Sequence, residues 1–521
     1  MIMITEFTYQ IAPTAALLLK LRSRVAFRIC CVTLLSMAAM SFGKTMFAAQ
    51  SASKTVPNIV MIFMDDLGYG DMSSFGSKTI RTPNMDSLAA EGTRFTQFYV
   101  PQAVCSASRA SLMTGCYANR VGMEGALNHT SPQGIHPDEL LLPEMLKQKG
   151  YATAIYGKWH LGLSPYFSPL KNGFDEYFGI PYSNDNSKYH PTSAGLMPPL
   201  PLYEDDKVIE TDPDQSLFTR RITDKATDFI HRKKGSPFFL YVPHVMPHVP
   251  IFASEKFVGH SKNGLYADVV EELDGSVGEI LAAIDREGIR DNTLVILLSD
   301  NGPFISYGNW AGSTGGLREG KLTAFEGGVR VPCAMRWPGK IAAGRVSDQP
   351  LMTIDFMPTI AGWLDAPLSS KKIDGLDISN CLFGEAKAKS PHESLLFYSG
   401  TELHAVRSGP WKLHLAHSYI TVDGEPGRDG KPAGYGRLQP KSMSQSGVAG
   451  IASRHGYRIE QQPLALYNID TDPTESTDVI GANADVVLRL LAIADQAKRS
   501  LGDSISGAIG NEVRACGNSE K

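Results

Sequence analysis

Continuous apolar segments alternate with helical segments along most of this chain, and that alternation constrains the fold more than any other feature. The segment 58–64 (NIVMIFM) carries no charge and stops at Asp65. A strand that is apolar on both faces is typical of a parallel sheet covered by helices on both sides. Similar apolar segments occur within 151–158, 236–243 and 291–299. The pattern predicts an α/β fold with a large, mostly parallel sheet sandwiched by helices.

Turn and capping residues predict where the helices begin and end. In TPNMDSLAAEG, Thr82 is the expected N-cap, Pro83 the first helical residue and Gly92 the stop. A second helix is expected within 136–150, and a long amphipathic helix within 266–288.

The chain changes character near residue 391. Short antiparallel strands with a Ser-Gly-Pro turn follow, then a helix over 483–502, and the glycine-rich stretch 423–450 is expected to be a long loop. We therefore predict a signal peptide and leader at 1–53, a catalytic domain at 54–390, and a C-terminal α+β subdomain with an antiparallel sheet at 391–521.

The N-terminal segment resembles an export signal. Basic residues, among them Lys20 and Arg28, precede an apolar run at 29–40, and small residues follow near position 50. This order is typical of a secretory signal peptide. The run is short for a membrane span. We expect a periplasmic or secreted protein with no stable membrane span after cleavage; an uncleaved anchor is the alternative.

Composition excludes some functions and leaves others open. The 521 residues are 43% hydrophobic and 20% charged, which is ordinary for a globular protein. The net charge of −4 gives no overall field that favours nucleic acid. Of the seven cysteines, Cys30 and Cys31 lie in the predicted signal segment, and the other five are spaced too widely for a disulfide framework or a zinc site. An odd cysteine in an exported protein is notable, and Cys105 is the candidate.

Four predicted strands end on charged or polar residues. In such folds, functional sites form outside the carboxyl ends of the strands. The oxygens among these residues suit calcium or magnesium, whereas zinc prefers nitrogen and sulfur. Taken alone, Asp65 with Asp66 fits a helix cap or a turn, and Asp300 with Asn301 fits an ordinary turn. Together at one edge of the predicted sheet, the two pairs favour a metal site. The endings are Asp65 and Asp66, Lys158 and His160, His244 and His248, and Asp300 and Asn301.

Positive residues accompany this predicted metal site. Several cations in one pocket indicate an anionic substrate or transition state. Each histidine could instead be a hydrogen-bonded structural residue, and His244 has the weaker claim of its pair. The expected cations are Arg109, Lys158, His160, His248 and Lys321.

Cys105 precedes a helix predicted over about 108–114. The N-terminus of a helix favours anions through its free N–H groups and its dipole. The residue could be a plain buried cysteine or a thiolate nucleophile. A thiolate is a poor partner for a hard cation, so oxygen chemistry at this position fits better.

With these motifs in place, the chain resembles the sulfatases of the alkaline phosphatase superfamily, most closely the arylsulfatase A and N-acetylgalactosamine-6-sulfatase type. The signature Cys-x-Pro/Ala-x-Arg appears as CSASR at 105–109, with Leu112 and Gly115 after it. Along the chain, the motifs DDLGYGD, GKWHLG, DNGP, GKLTAFEGGVRVP and AVRSGPWKL match the family in the right order. The resemblance covers about 57–474.

The resemblance implies a specific cofactor chemistry. In the family this cysteine is oxidised to Cα-formylglycine, whose hydrate carries two hydroxyls, and one of them would attack sulfur. One calcium or magnesium ion per chain would be held by the hydrated residue 105 and by four oxygen ligands. Those ligands are Asp65, Asp66, Asp300 and Asn301.

The resemblance also implies roles for the cations. Arg109 would stabilise the hydrate. Lys158, Lys321 and His248 would bind sulfate oxygens and help the alcohol depart, and His160 would take a proton from the remaining hydroxyl. Pre-placed positive charge and two-step covalent catalysis are sound physical reasons for such roles.

Two residues depart from the usual family signature. Ala107 replaces the more common proline, which leaves the maturation system open, and Cys116 stands where many members have arginine.

The expected partners are a formylglycine-generating maturation enzyme and a sulfated small molecule or glycan as substrate; nucleic acid is not expected. The alternatives are a phosphate or phosphonate ester hydrolase of the same superfamily, and a non-catalytic binder of sulfated glycans.

Overall fold

Strands and helices alternate through the first two thirds of the chain in the computed structural model. It describes residues 56–438 and 447–520, so the predicted signal peptide and leader at 1–53 lie outside the described residues. The strands are β1 (Asn58–Met64), β2 (Thr93–Tyr99), β3 (Gln133–Gly134), β4 (Ala152–Lys158), β5 (Glu176–Ile180), β6 (Pro201–Glu204), β7 (Lys207–Thr211), β8 (Phe238–Pro243), β9 (Thr293–Ser299), β10 (Arg330–Arg336), β11 (Arg345–Ser347), β12 (Leu351–Met352), β13 (Leu395–Ser399), β14 (Glu402–Ser408), β15 (Trp411–His414), β16 (His417–Val422), β17 (Tyr457–Gln462), β18 (Ala465–Asn468) and β19 (Gly517–Asn518).

Short 3-10 turns and ten α-helices connect the strands in the described ranges. The helices are α1 (Pro83–Ala90), α2 (Cys105–Thr114), α3 (Leu142–Gln148), α4 (Phe218–Lys233), α5 (Leu265–Arg286), α6 (Glu326–Val329), α7 (Phe356–Leu364), α8 (Ser379–Phe383), α9 (Gly447–His455) and α10 (Ala484–Leu501).

A large sheet of eleven strands forms the centre of the described chain. Its order is β11-β2-β10-β9-β1-β8-β4-β5-β6-β7, and β12 pairs with β2. The neighbouring strands β9, β1, β8, β4 and β5 are parallel. Strand β10 is antiparallel to β9 and β2, and β6 and β7 add antiparallel strands at one edge. The predicted mostly parallel sheet is confirmed.

Both faces of this sheet are covered, which explains the uninterrupted apolar strands. All seven residues of β1 are buried. Ile59 and Phe63 point into a core that α3 and α7 also enter, whereas Val60 and Met64 point into a core shared with α4 and α5. A strand that alternates between two cores carries apolar residues at every position.

The start of α1 is held differently from the prediction. Thr82 is the N-cap residue, but its side chain caps no helical N–H. Its Oγ1 instead accepts from the amide of Ser73 at 2.9 Å. Asp274 of α5 caps the helix, because its Oδ1 accepts from the amide of Met85 at 2.8 Å. A cap supplied 189 residues away leaves no local sequence signal.

The C-terminal region contains the predicted antiparallel sheet. It has four strands in the order β13-β14-β15-β18, and α10 packs on β14. The glycine-rich stretch 423–450 is a loop only in part, because α9 begins at Gly447. In the described ranges, we find no helix with the length and apolar character of a membrane span.

One hydrophobic core continues from the large sheet into the C-terminal sheet. It contains Phe63 of β1, Phe397 of β13 and Leu490 of α10. The domain boundary near residue 390 stays a prediction.

A fully buried group of charges links α6 to the C-terminal strands. We call these four residues the buried joint: Glu326, Lys412, His414 and Glu475. Lys412 Nζ lies 2.9 Å from Glu326 Oε1 and 3.0 Å from Glu475 Oε1. His414 Nε2 is 2.7 Å from Glu475 Oε1. Glu475 Oε2 accepts from the amide of Glu326 at 2.7 Å, so it caps α6.

Candidate active site

Neighbouring strands deliver the predicted site residues to one edge of the large sheet. Strands β9, β1, β8 and β4 are parallel neighbours, so their carboxyl ends lie together. Asp65 follows β1, Asp300 follows β9, and Lys158 is the last residue of β4. The amide of Asp66 donates to Asp300 Oδ1 at 3.1 Å and ties two of these strand ends together. Residues far apart in sequence thus form one cluster.

Cys105 is the first residue of α2, so the predicted helix start near residue 108 is wrong by three residues. Val104 is the N-cap and offers no capping side chain, so the usual sequence signal for a helix start is missing. The Cys105 Sγ lies 3.4 Å from Asp65 Oδ1 and 3.3 Å from Lys321 Nζ. The cysteine therefore lies between a carboxylate and a lysine ammonium group, at the strand-end cluster where the sequence predicts it.

The thiol of Cys105 is poorly suited to act as a thiolate. Only 2% of the residue is exposed. Burial and the negative charge of Asp65 raise the pKa of the Cys105 thiol well above its ordinary value. The neutral thiol is the stable form, which argues against the thiolate alternative.

Three predicted cations pair with three predicted carboxylates, and all six side chains are buried. Charges removed from water in this way need close partners. The pairs are Lys158 with Asp65 at 2.6 Å, Lys321 with Asp66 at 2.7 Å, and Arg109 with Asp300 at 2.8 Å.

The carboxylates of Asp65 and Asp300 respond differently to the same burial. Burial alone would raise the pKa of Asp65, but positive neighbours led by Lys158 hold that pKa well below its ordinary value. Burial and the negative charge of Asp65 raise the pKa of Asp300. Like charges crowd this edge of the sheet, so an added divalent cation would stabilise both ionised carboxylates.

The donor atoms fit a hard divalent metal ion. Asp66 Oδ2 and Asn301 Oδ1 are buried and accept no hydrogen bond from the described residues. Buried oxygens of this kind are rare unless a ligand completes them. Ligand atoms of Asp65, Asp66, Cys105 and His248 also lie within 4.8 Å of one another. Carboxylate and amide oxygens are the ligands that calcium and magnesium prefer.

Asp300 lies beside this group of four rather than within it. Its Oδ1 accepts from the amide of Asp66, and its Oδ2 accepts from Arg109. Its predicted role as a metal ligand stays a prediction. His248 belongs to the group, although the sequence predicts a sulfate-binding role for it.

His160 offers one free buried nitrogen. Its Nε2 lies 2.7 Å from the carbonyl of Leu127, which can only accept, so the proton is on Nε2. Its Nδ1 is buried without a hydrogen-bond partner in the described ranges. Burial and the charge of Lys158 lower the pKa of His160 well below its ordinary value. A neutral ring with a free lone pair is equipped to accept a proton.

His248 lies on the other side of the carboxylates. Its Nδ1 donates to the carbonyl of Val249 at 2.5 Å, and its Nε2 lies 3.7 Å from Asp66 Oδ2. Burial and the charge of Lys321 lower the pKa of His248. Ser183 Oγ is 3.5 Å from the same Nε2. Ser183 is not predicted from the sequence, because the loop after β5 carries no motif of its own.

His244 takes no part in the cluster. It is fully buried, and its Nε2 lies 3.2 Å from Ser276 Oγ of α5. This contact agrees with the weaker claim that the sequence gives to His244.

A cavity of about 760 Å³ lies above the cluster. Cys105, His248 and Lys321 line it, and the C-terminal region contributes Tyr398 and Tyr419. Its volume is typical of a pocket for a small ligand. The C-terminal residues that line the cavity are also not predicted from the sequence, because the cavity forms where loops from distant parts of the chain meet.

The two departures from the family signature are accommodated locally. Ala107 lies in the first turn of α2, and its amide donates to the carbonyl of Gly125 at 3.1 Å, a bond that proline could not make. Cys116 is a free, buried thiol with Arg514 Nη2 at 3.4 Å. It is a structural residue.

Comparison with known proteins identifies similar families and structures. The family model described as Sulfatase matches residues 57–366, and that of the C-terminal region of aryl-sulfatase matches residues 390–516. Arylsulfatase A of Bos taurus is 40% identical over 407 residues, covering 72% of this chain and 79% of that protein. N-acetylgalactosamine-6-sulfatase of Canis lupus familiaris is 41% identical over 382 residues, covering 69% and 72%. The crystal structure of Ps i-CgsB in complex with k-i-k-neocarrahexaose has a TM-score of 0.68 at 28% identity, covering 85% of this chain and 92% of that one.

Proposed function

The chain belongs to the sulfatase family, and on this premise we propose that it releases inorganic sulfate from a carbohydrate sulfate ester after Cys105 is converted to Cα-formylglycine. The observation that carries the proposal is the position of the Cys105 side chain between Asp65 and Lys321. The relatives are sulfatases, enzymes that hydrolyse sulfate esters, so the phosphate-ester, phosphonate-ester and non-catalytic alternatives are not favoured.

The proposed cofactors are one calcium or magnesium ion and the formylglycine at position 105. The ion supplies positive charge that stabilises negative charge on sulfate oxygens. Conversion of Cys105 to formylglycine would supply a hydroxyl nucleophile at this position. The free oxygens Asp66 Oδ2 and Asn301 Oδ1 support the metal. The proposed ligands are Asp65, Asp66, Asp300, Asn301 and residue 105.

The side chains around position 105 are arranged to bind an anion. Lys321 Nζ is 3.3 Å from the Cys105 Sγ, so its charge lies where a sulfate group beside residue 105 would need it. Lys158 adds a second positive charge on Asp65. Arg109 bonds both Asp300 and the carbonyl of Lys158, which lets it orient this edge of the site.

Two histidines divide the proton transfers in this proposal. His248 would donate a proton from Nε2 to the departing alcohol oxygen; because its Nδ1 already donates to the carbonyl of Val249, this role requires the doubly protonated ring, which the negative charge of a bound sulfate would favour. His160 would accept a proton from residue 105 at its free Nδ1. The two rings bond backbone carbonyls through their other nitrogens, which fixes their orientation.

A sulfated glycan is the proposed substrate. One relative is named for N-acetylgalactosamine 6-sulfate, and the similar solved structure holds a neocarrahexaose. The basic and apolar N-terminus supports export, where a formylglycine-generating enzyme would be the maturation partner.

The test is direct measurement of sulfate release from a panel of defined sulfated sugars, with aryl sulfate and aryl phosphate compared side by side. We expect sulfate release to dominate, together with a peptide mass at position 105 that corresponds to formylglycine. A thiol mass with intact sulfate binding would support the binder instead. Faster phosphate release would support the phosphoesterase.

A further inference from the structure

One acidic side chain in the cavity has no role in the proposed reaction. Asp185 lies on the loop after β5 and lines the same cavity as Cys105 and Lys321. Ser183, two residues earlier, contacts His248. A negative charge beside an anion pocket weakens anion binding unless it serves another purpose.

The carboxylate of Asp185 has one oxygen available. Asn186 Nδ2 donates to Oδ1 at 2.8 Å. No residue in the described ranges donates a hydrogen bond to Oδ2, and His190 Nε2 remains 3.8 Å away. The side chain is 13% exposed. The Asp185 carboxylate is therefore held through Oδ1, and its Oδ2 can accept a hydrogen bond from a ligand in the cavity.

His190 lies beside this carboxylate without a hydrogen bond to it. The ring is fully buried, and its Nδ1 accepts from the amides of Thr192 and Ser193 at 3.2 and 3.0 Å. Its proton is therefore on Nε2, which faces Asp185. Although burial alone would raise the pKa of Asp185, the nearby rings of His248 and His190 and the charge of Lys158 hold it below its ordinary value. An ionised carboxylate can only accept hydrogen bonds, so its partner must be a donor.

We propose that Asp185 is a specificity residue whose Oδ2 accepts a hydrogen bond from a hydroxyl on the carbon next to the sulfated one. The inference rests on the proposed function and narrows its substrate to carbohydrates with a free hydroxyl beside the sulfate. A second sulfate or a carboxylate at that neighbouring carbon would be repelled by the same charge.

Two aryl sulfates that differ by one hydroxyl test this inference. The matured full-length enzyme is assayed with 4-nitrocatechol sulfate, which has a hydroxyl beside the ester, and with 4-nitrophenyl sulfate, which has none. We expect Asp185→Ala to lower kcat/KM for the catechol substrate about tenfold to a hundredfold more than for the phenyl substrate, the range for losing a hydrogen bond to a charged group. Asp185→Asn keeps the side-chain volume if the alanine variant folds poorly, and it should shift the ratio in the same direction.

Asp228→Asn is the matched control. Asp228 is an exposed acid of α4 that pairs with Arg232 outside the cavity, so its removal should leave the ratio of the two kcat/KM values unchanged. A ratio within twofold of wild type in both Asp185 variants, even with both rates lowered, would overturn the inference and leave the sulfatase proposal intact. No sulfate release from either probe by the matured wild-type enzyme would instead overturn the proposed function.

Discussion

Two fully buried groups of charges can be compared in this molecule: the active-site cluster at the edge of the large sheet and the buried joint behind it. Both combine carboxylates with lysine and histidine. In the joint every carboxylate oxygen is occupied: Glu326 Oε1 bonds Lys412 and its Oε2 bonds Tyr99, while Glu475 bonds Lys412, His414 and a backbone amide.

The active-site cluster differs because it leaves oxygens unused. Asp66 Oδ2 and Asn301 Oδ1 have no hydrogen-bond partner in the described ranges, although both are buried. A satisfied network stabilises a fold, whereas buried acceptors without donors are stable only when something else binds them. Buried oxygens without donors among the described residues, rather than charge or burial alone, distinguish the active-site cluster from the buried joint, where the unpartnered polar atom is a nitrogen, His414 Nδ1.

At the active-site cluster, the largest effect is expected for Cys105→Ser. If the serine escapes conversion, its single hydroxyl can attack sulfur, but no second hydroxyl exists to expel sulfate. We expect a covalent sulfate ester on residue 105 and no second turnover, measured by intact-protein and peptide mass after incubation with an aryl sulfate. Cys116→Ser, a change at a structural thiol, should keep turnover. Repeated turnover by an enzyme with an unmodified serine would contradict the two-hydroxyl mechanism.

Metal removal should have the next largest effect. A chelator is expected to abolish sulfate release, and calcium or magnesium should restore it, because the free oxygens at this edge are hard ligands. The measurement is turnover alongside metal content by elemental analysis. Full activity in a verified metal-free preparation would remove the metal from the proposal.

In the buried joint, Lys412→Ala should lower stability rather than chemistry. It leaves Glu326 and Glu475 buried without their shared cation, at a cost of about 3–5 kcal/mol in unfolding free energy. Denaturant unfolding measures this loss, and the folded fraction should keep its kcat. A variant with unchanged stability would show that the joint is not structural.

The variants His248→Ala and Lys321→Ala should impair the chemical reaction itself. Each should lower turnover by roughly a hundredfold or more, the scale for losing a catalytic acid or a charge-stabilising donor. Thermal unfolding should change little for His248→Ala, whereas Lys321→Ala leaves Asp66 buried without its cation and should also lower stability, so its turnover is measured on the folded fraction. Lys256→Ala is a surface control that should alter neither property. Near-wild-type kinetics in a folded His248 or Lys321 variant would remove that residue from the site.

The sequence predicts the fold and the cluster at the strand ends because both depend on local patterns. The apolar run of β1 reports burial on two faces, and Asp65, Asp300 and Lys158 report where parallel strands stop. Such positions can be inferred without knowing the packing.

The missing parts depend on contacts between distant segments. The cap of α1 comes from Asp274, and α2 begins at Cys105 without any capping side chain. Ser183 and Asp185 lie on a loop whose path is set by its neighbours. Lateral strand order is also non-local, so the antiparallel insertion of β10 could not be read from its own residues.

The cap that Glu475 places on α6 has a consequence for timing during synthesis. Lys321 lies on the segment that leads into α6, and Glu475 is made 149 residues after Glu326. At about 5–20 residues per second, the ribosome needs roughly 7–30 s to add that length. During this interval the nascent chain has Lys321 but not the carboxylate that anchors the neighbouring helix. The pocket is therefore finished late, near the end of translation, and a chain truncated before residue 475 would carry every proposed reacting group without the anchor of α6.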